Sequence, residues 1–468
     1  MHVLLDREHP DRTIVLAAAL MLAGAVGMGL AINPALFFLA LGGAVAFGAL
    51  VLVWRFPAYC SVAWLLVAAA SLEMTLNDLV GPALFTQTIA AVKGAGLVIA
   101  LVCAVRFGVR ADRANPAWAY LFMLATTLAF GRHPDLSVAD SVRSFIGSVA
   151  PFAFAFVRLP RSWADAIIGT TKWCPLLVVT AAVPFALAGL RPLFVESGGL
   201  RLSGLGHAAF LANVCLPAIY ASLMELLRRG GRLNLALLLA NGAILVLTGA
   251  RAPLAYATAV TLLTMLAVPA PMFPRATRTL LLLGAAVMLP AMLALAATFA
   301  DIRIFNVTLN EATNLSGRDL LWPEFRDAAA QAPWFGWGVG AGNFIIPPTG
   351  IIARTLQTVA AHNEYLRMQV EGGQIGRGVL ILSFVAWATL HTRHLCASDR
   401  VIMRLAFVAF GLLAITDNVL ISTPTCVLFT FAAAVFVRTE PRTAQTEPRK
   451  ASAGASRQFA LPDSPPRA

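Results

Sequence analysis

Three arginines and one histidine in this 468-residue chain stand where their chemistry is out of keeping with the sequence around them. Arg251 ends Leu247-Thr248-Gly249-Ala250-Arg251, at the meeting point of two apolar runs. Arg318 follows Ser316-Gly317, Arg201 opens Arg201-Leu202-Ser203-Gly204, and His362 opens His362-Asn363-Glu364-Tyr365-Leu366. A planar guanidinium grips phosphate oxygens through two parallel N–H bonds, so several together form an anion trap. Ser316 and Asp319 have the spacing of a capping box, which predicts a helix with Arg318 in its first turn. Unpaired backbone N–H groups there also favour an anion. An imidazole takes or gives a proton near neutral pH. Asn363 and Glu364 are placed to orient that of His362.

Other chemistries lack their residues. No Asp-x-Asp pair is present to hold a metal against a sugar nucleotide. No HExxH, GxSxG or EF-hand loop occurs. The six cysteines, Cys60, Cys103, Cys174, Cys215, Cys396 and Cys426, show no CxxC spacing and read as small buried apolar residues. The stretch Phe335–Asn343, with glycine at 336, 338, 340 and 342, lacks the strand and helix of a nucleotide-binding turn. It predicts close backbone packing beside a site. No metal ion and no cofactor is expected.

The elements that position these residues are membrane helices. Hydrophobic residues make up 59% of the chain and charged residues 12%, and the mean hydropathy is +0.77. A soluble domain of this size carries about 25% charged residues. The apolar residues come in blocks near the ~20 residues needed to cross a bilayer, without barrel alternation. The predicted fold is therefore all-α, a polytopic transmembrane helical protein. Fourteen apolar segments are read, with twelve as the lower bound: 14–32, 36–54, 58–74, 88–106, 116–130, 142–157, 167–189, 207–227, 233–249, 253–270, 280–300, 377–396, 402–416 and 420–437.

The net charge of +12 is carried almost wholly by arginines spread in short clusters between these runs, which disfavours nucleic acid as a partner. Arg55, Arg106/Arg110/Arg113, Arg158/Arg161, Arg228/Arg229/Arg232, Arg275/Arg278 and Arg393/Arg400/Arg404 fall in alternate loops. The positive-inside rule puts them, and both termini, in the cytoplasm. The loop 73–87, with Glu73 and Asp78, then faces outward, as do Arg201, Arg251 and Arg318. Four regions follow: transmembrane helices over 1–300, a periplasmic loop over 301–376 with short helices carrying site residues, further transmembrane helices over 377–437, and a disordered cytoplasmic tail over 438–468. In the loop, Pro323 is expected to kink the first helix, and a second helix to run from His362 to Gly372-Gly373.

Taken in order, these segments resemble the bacterial O-antigen ligase and O-antigen polymerase superfamily. The resemblance rests on Leu247–Arg251, on Ser316-Gly317-Arg318 followed by Trp322 and the Gly-rich turn, and on Ala361–Leu366 followed by Glu371-Gly372-Gly373. Arg201–His207 is similar to the family's Arg-x-x-Gly element, although His207-Ala208-Ala209 lacks the Pro-Asn often found there. The strong resemblance covers roughly residues 200–380. It implies a GT-C-like glycosyltransferase architecture in the bacterial inner membrane, with the active site facing the periplasm. It implies metal-independent transfer of a glycan from a polyprenyl (undecaprenyl) pyrophosphate carrier to an acceptor hydroxyl on a saccharide, a lipid A core or a protein. In that reading Arg251 and Arg318 hold the pyrophosphate and stabilise it as it leaves. His362 is the general base, and Arg201 and Asn363 are further substrate contacts. The alternative from another class is a transporter or flippase of polysaccharide or lipid-linked sugar.

Overall fold

The structure is a computed structural model that describes residues 34–81, 85–196, 199–268, 318–356 and 358–438, with positions 20, 21 and 24. The helices are α1 (Pro34–Arg55), α2 (Pro57–Ala70), α3 (Leu72–Val80), α4 (Phe85–Phe107), α5 (Ala117–Phe130), α6 (Val138–Val149), α7 (Arg161–Leu187), α8 (Ala208–Arg229), α9 (Arg232–Leu247), α10 (Arg251–Ala267), α11 (Arg318–Gln331), α12 (Ile351–Leu356), α13 (Glu364–Thr392), α14 (Ala397–Leu413) and α15 (Pro424–Val437). Short 3-10 turns lie at Ala150–Phe156 and Ala341–Asn343. The predicted segments between 36 and 270 and between 377 and 437 overlap these helices, except that 58–74 runs across the break between α2 and α3, 142–157 ends in the 150–156 turn, and 377–396 is the second part of α13. Segment 14–32 is largely, and segment 280–300 wholly, outside the described residues, as are Ser316, Gly317 and the tail after Arg438.

Among the described residues four helices are long and apolar enough to cross a membrane: Gln87–Phe107, Arg161–Leu187, Ala208–Arg229 and Glu364–Thr392. Gly42–Arg55 and Pro57–Ala70, bent by 114°, make a fifth if they form one span. The apolar helices Ala117–Phe130, Arg232–Leu247, Arg251–Ala267 and Pro424–Val437 are shorter. Large apolar side chains such as Leu101, Val105, Leu239 and Leu382 are exposed on the outside of the bundle. That is the surface lipid would cover, and it explains how a chain this apolar has so much apolar surface.

At the centre lies α15, with every residue from Pro424 to Val437 buried. It packs against α7, α8 and the 150–156 turn. Phe429 lies 4.5 Å from Phe152 and 5.1 Å from Phe410, centroid to centroid, and Phe436 lies 5.1 Å from Trp387. Lipid tails are as apolar as these side chains, so close packing rather than transfer from water holds such a helix in place.

The helix ends sort into two groups. At one end, Arg438 bonds Asp165 and Glu225, Arg228 bonds Asp399, and Arg404 bonds Thr392. His391 bonds Asp112 through Nε2 and meets Arg110 through Nδ1. These ties join the N-termini of α7 and α14 to the C-termini of α8, α13 and α15. The opposite end gathers the start of α8, α10, α11, α13 and α15 and the last turn of α9 and α14.

Three features depart from the predicted all-α plan. A two-stranded hairpin pairs Phe194–Glu196 with Leu200–Leu202, with Val195 opposite Arg201. Strands of this length are too short for alternation to register in sequence. Glu73 is not a solvated charge in an outward loop; it is buried in α3 and accepts a hydrogen bond from Thr423. The third departure is that the helix predicted to stop at Gly372-Gly373 runs on into the following span as one bent element, α13.

Gly373 explains the bend, since its φ of +61° is non-helical. A Cβ there would run into the Trp334 carbonyl, and one on Gly336 would run into the backbone of Val370 to Gly373. The groups the bend frees are taken up by the Gly-rich turn. Trp337 N–H donates to Val370 O at 2.7 Å and Gly338 N–H to Glu371 O at 3.0 Å. Gln374 N–H donates to Pro333 O at 2.8 Å and Ile375 N–H to Trp334 O at 3.2 Å. A kink with all four groups satisfied is a fixed shape and not a flexible joint. It aims the first turns of α13 at the core. Pro323 is accommodated inside α11, which spans Arg318–Gln331 without a break.

Candidate functional site

His362 stands two residues before α13 with a φ of +48°, one of two non-glycine residues at positive φ among those described. A histidine held in the left-handed region stores of order 1–3 kcal/mol, which the surroundings must offset. The surroundings are specific. Asn363 caps α13, its side-chain oxygen accepting from Leu366 N–H at 3.0 Å. Glu364 N–H donates to Ala414 O at 2.8 Å, and Tyr365 Oη donates to Gly411 O at 2.9 Å. The start of α13 is thus fastened to the end of α14. The oxygen of Asn363 is engaged in the cap, so its amide N–H groups are what it has for a substrate.

From that anchorage the His362 ring faces two groups. Its Nε2 lies 3.3 Å from Thr358 Oγ1, and its Nδ1 lies 3.9 Å from Asp417 Oδ1. Asp417 also accepts from Asn213 Nδ2 of α8 at 3.3 Å. Burial alone would raise the Asp417 carboxyl. The hydrogen bond and charge of His362, with Asn213 and the Asn418 N–H, outweigh it and hold the group below the ordinary carboxylate range. Asp417 is therefore an anion at neutral pH. Asn213 is in the second turn of α8, so the loop 414–423 between α14 and α15 meets the start of that helix, and His362, Asn213 and Asp417 form one partly exposed polar patch, the basin of the site.

Arg318 reaches the same loop. Its Nη2 donates to Thr416 O at 2.8 Å, next to Asp417. Residues 318 and 362 are thus brought to consecutive residues of one loop. Arg201 is fixed elsewhere: it is buried, and its Nε donates to Thr248 O at 2.8 Å. Thr248 caps α9, and only Gly249 and Ala250 separate it from Arg251 at the start of α10. Arg251 is exposed. Among the described residues no side-chain contact joins it to Arg318 or His362.

His207 connects the two halves. It caps α8, Nδ1 accepting from Ala209 N–H at 3.2 Å. The residue is exposed at the helix start, with protein along part of its ring. That surrounding and the charge of Arg201, with Arg191 and His362 adding and Asp417 opposing, push its pKa down to about 4. Arg191, beside it, donates to Gly206 O at 2.6 Å. His207 thus feels both the Arg201 side and the His362–Asp417 side of one basin.

The depressed His207 value carries a prediction. Between the ordinary 6.5 and about 4 the unfolded chain binds a proton at His207 that the folded chain does not. Stability contributed by the neutral imidazole is therefore lost as pH falls through that window, and levels off below it. His207→Gln is expected to show a smaller fall in Tm between pH 7 and pH 4.5 than the parent protein. Equal falls would show that His207 carries none of the acid loss.

An apolar cavity of about 500 Å³ adjoins the basin between α13 and α14. Glu364, Tyr365 and Ala414 line its near end, Phe384 and Phe407 its middle, and Thr389 and Arg404 its far end. Beyond the bend, from Arg377 to Thr389, the lining helix runs 12 residues, about 18 Å at 1.5 Å each. No cluster of His, Cys, Asp and Glu among the described residues is arranged to hold a metal ion.

Arg191, His207, Asn213, Thr358 and Asp417 are site members that the sequence alone does not single out. Arg191 shares the loop of Arg201. Asp417 is the one carboxylate between the apolar runs 402–416 and 420–437, a signal that is present in the sequence. No curated protein matches the chain. Residues 235–381, which take in Arg251, Arg318, His362 and Asn363 but not Arg201, His207 or Asp417, match the family model described as O-Antigen ligase.

Proposed function

We propose that the protein is a glycosyltransferase that moves a glycan from a polyprenyl pyrophosphate carrier to an acceptor hydroxyl at the periplasmic face of the bacterial inner membrane. The observation that carries this reading is the convergence of Arg318 and His362 on Thr416 and Asp417, at the mouth of an apolar groove. A carrier lipid has the matching shape, an anionic head on a long hydrocarbon tail. The basin takes the head and the groove takes the tail.

In this reading Arg318 and Arg251 contact the two phosphates, with Arg201 steadying the turn that presents Arg251. Asp417 faces Nδ1 of His362 and favours the tautomer that carries its proton there, leaving the Nε2 lone pair available. Thr358, which meets Nε2 now, occupies the place of the acceptor hydroxyl. The acceptor O–H gives its proton to Nε2 as its oxygen bonds to the anomeric carbon. The bond from that carbon to the pyrophosphate oxygen breaks, and its electron pair leaves on the pyrophosphate. Two guanidiniums stabilise that charge, and Asp417 offsets the charge gained by the imidazole. The orientation follows from the arginine clusters at the opposite end of the bundle.

Purified protein with lipid-linked glycan and acceptor, assayed with and without a chelator, tests the reading. Transfer is expected, at the same rate with chelator present. Failure to transfer to saccharide, lipid A core or protein acceptors, or loss with EDTA and recovery with magnesium, would overturn it.

A further inference from the structure

Behind the loop that carries Thr416 and Asp417 lies a buried cation that the proposed chemistry does not use. Lys93, on α4, is 2% exposed. Its Nζ donates to Ile421 O at 2.7 Å, four residues beyond Asp417. Glu73 of α3 is fully buried and accepts from Thr423 Oγ1 in the same loop. The charges nearest Lys93 are Glu73, Glu364 and Arg367, with the thiol of Cys426. Arg367 is itself locked between Glu364 and Glu371, bonding the latter at 2.8 Å. On the α6 side, Gly147 faces the lysine, and a Cβ there would lie 3.8 Å from its Cδ. That is ordinary contact, so α6 packs directly along the lysine stem.

A lysine inside a span is costly to insert, so an apolar residue of equal length would fill this space more favourably. What an apolar residue cannot supply is a donor to the loop backbone. A loop sunk between α14 and α15 has carbonyls that neither helix satisfies, and each left unpaired would be destabilising. The lysine meets one of them from below, and Glu73 holds the Thr423 hydroxyl beside it. Glu364, two residues after His362, belongs to the same charge cluster and is bonded by its N–H to Ala414 at the other end of the loop.

We propose that Lys93 is a positioning residue: with Glu73 it clamps the 414–423 loop from inside the membrane, and so sets the distance of Asp417 from His362 and of Thr416 from Arg318. The ammonium touches no substrate. It acts through the Ile421 carbonyl. This inference rests on the transferase reading for its kinetic consequence but not for its structural one.

Two measurements therefore test it. Hydrogen–deuterium exchange on the full-length protein in detergent needs no activity. In Lys93→Met, amides of 414–423 are expected to exchange at least about tenfold faster, while those of α8 and α15 stay protected. Because Lys93→Met leaves Glu73 unpaired, Glu73→Gln/Lys93→Met is measured beside it. The double variant removes both charges and is expected to keep the fold yet show the same loop exchange. In the transfer assay both variants are expected to lower kcat by about ten- to a hundredfold, the scale of a small misplacement. KM for the lipid-linked donor is expected to rise less than kcat falls, because Arg251 sits on another element while Arg318 is tied to the loop at Thr416, and Lys93→Arg should recover part of the rate. Unchanged exchange in the double variant overturns the clamp, whatever the activity. An unchanged kcat in a protein that does transfer overturns its role in positioning. A parent protein with no transfer activity refutes the transferase reading and leaves the exchange result to decide the clamp.

Discussion

Arg318→Lys is expected to lose about a hundredfold in glycan transfer while inserting and folding normally. The reason lies in the geometry of the guanidinium. One of its arms is committed to the Thr416 carbonyl at 2.8 Å, which fixes the plane of the group at the edge of the basin. An ammonium keeps the charge, but it is a point donor on a flexible stem. It cannot hold the loop and grip phosphate oxygens in a fixed plane at once. Arg318→Ala should be worse, because the Thr416 carbonyl also loses its donor. The rate with lipid-linked donor, read together with KM, checks this. A fully active Arg318→Ala would reduce the residue to a helix-end contact.

Asp417→Asn is the second large effect. The amide keeps the size of the side chain and can keep a contact with Asn213, but it no longer offers an anion to His362 Nδ1. Transfer is expected to fall by about a hundredfold, comparable with His362→Ala, and the double variant should be little worse than either alone. The pH dependence has a definite sign. Burial opposes ionisation of Asp417, but His362, Asn213 and Asn418 outweigh it and hold its pKa below the ordinary value. Its contribution to stability is present above the unfolded carboxylate pKa and is lost only as pH falls through the lower folded value. Acid losses above about pH 5 must therefore come from other groups, His207 among them. Additive rate losses for Asp417→Asn and His362→Ala would show that the two side chains act independently and not as a pair.

Much of the candidate site is legible in the sequence because membrane proteins make polar residues conspicuous. Arg201, Arg251 and Arg318 stand out as guanidiniums where the charge rule expects none, and His362 as an imidazole at a helix start. The Gly-rich run announces close backbone packing. Its partner, the bend at Gly373, is not legible, since a helix that stops and a helix that bends both call for glycine. Asp417 is visible in the sequence as a carboxylate between two apolar runs, but its pairing is not, because that comes from what packs against it. Asn213 lies 204 residues away in sequence, and nothing local marks the pair. Lys93 is unreadable for the same reason, its partners Ile421 and Glu73 lying on other elements. Glu73 misleads because a carboxylate near the end of an apolar run ordinarily points to water. The helix boundaries are easier, because apolar block length fixes them without knowledge of any partner. The short hairpin at 194–202 sits below the length at which periodicity can be seen.

In the proposed mechanism Arg251, Arg318 and His362 surround one pyrophosphate, and a structure of the protein with undecaprenyl pyrophosphate bound would examine that arrangement atom by atom. Phosphate oxygens are expected within hydrogen-bond reach of both Arg251 and Arg318, with His362 Nε2 open to the space beside the sugar position and the tail between α13 and α14. A pyrophosphate bound away from the 414–423 loop, or one held by Arg318 with Arg251 turned out to lipid, would contradict the mechanism.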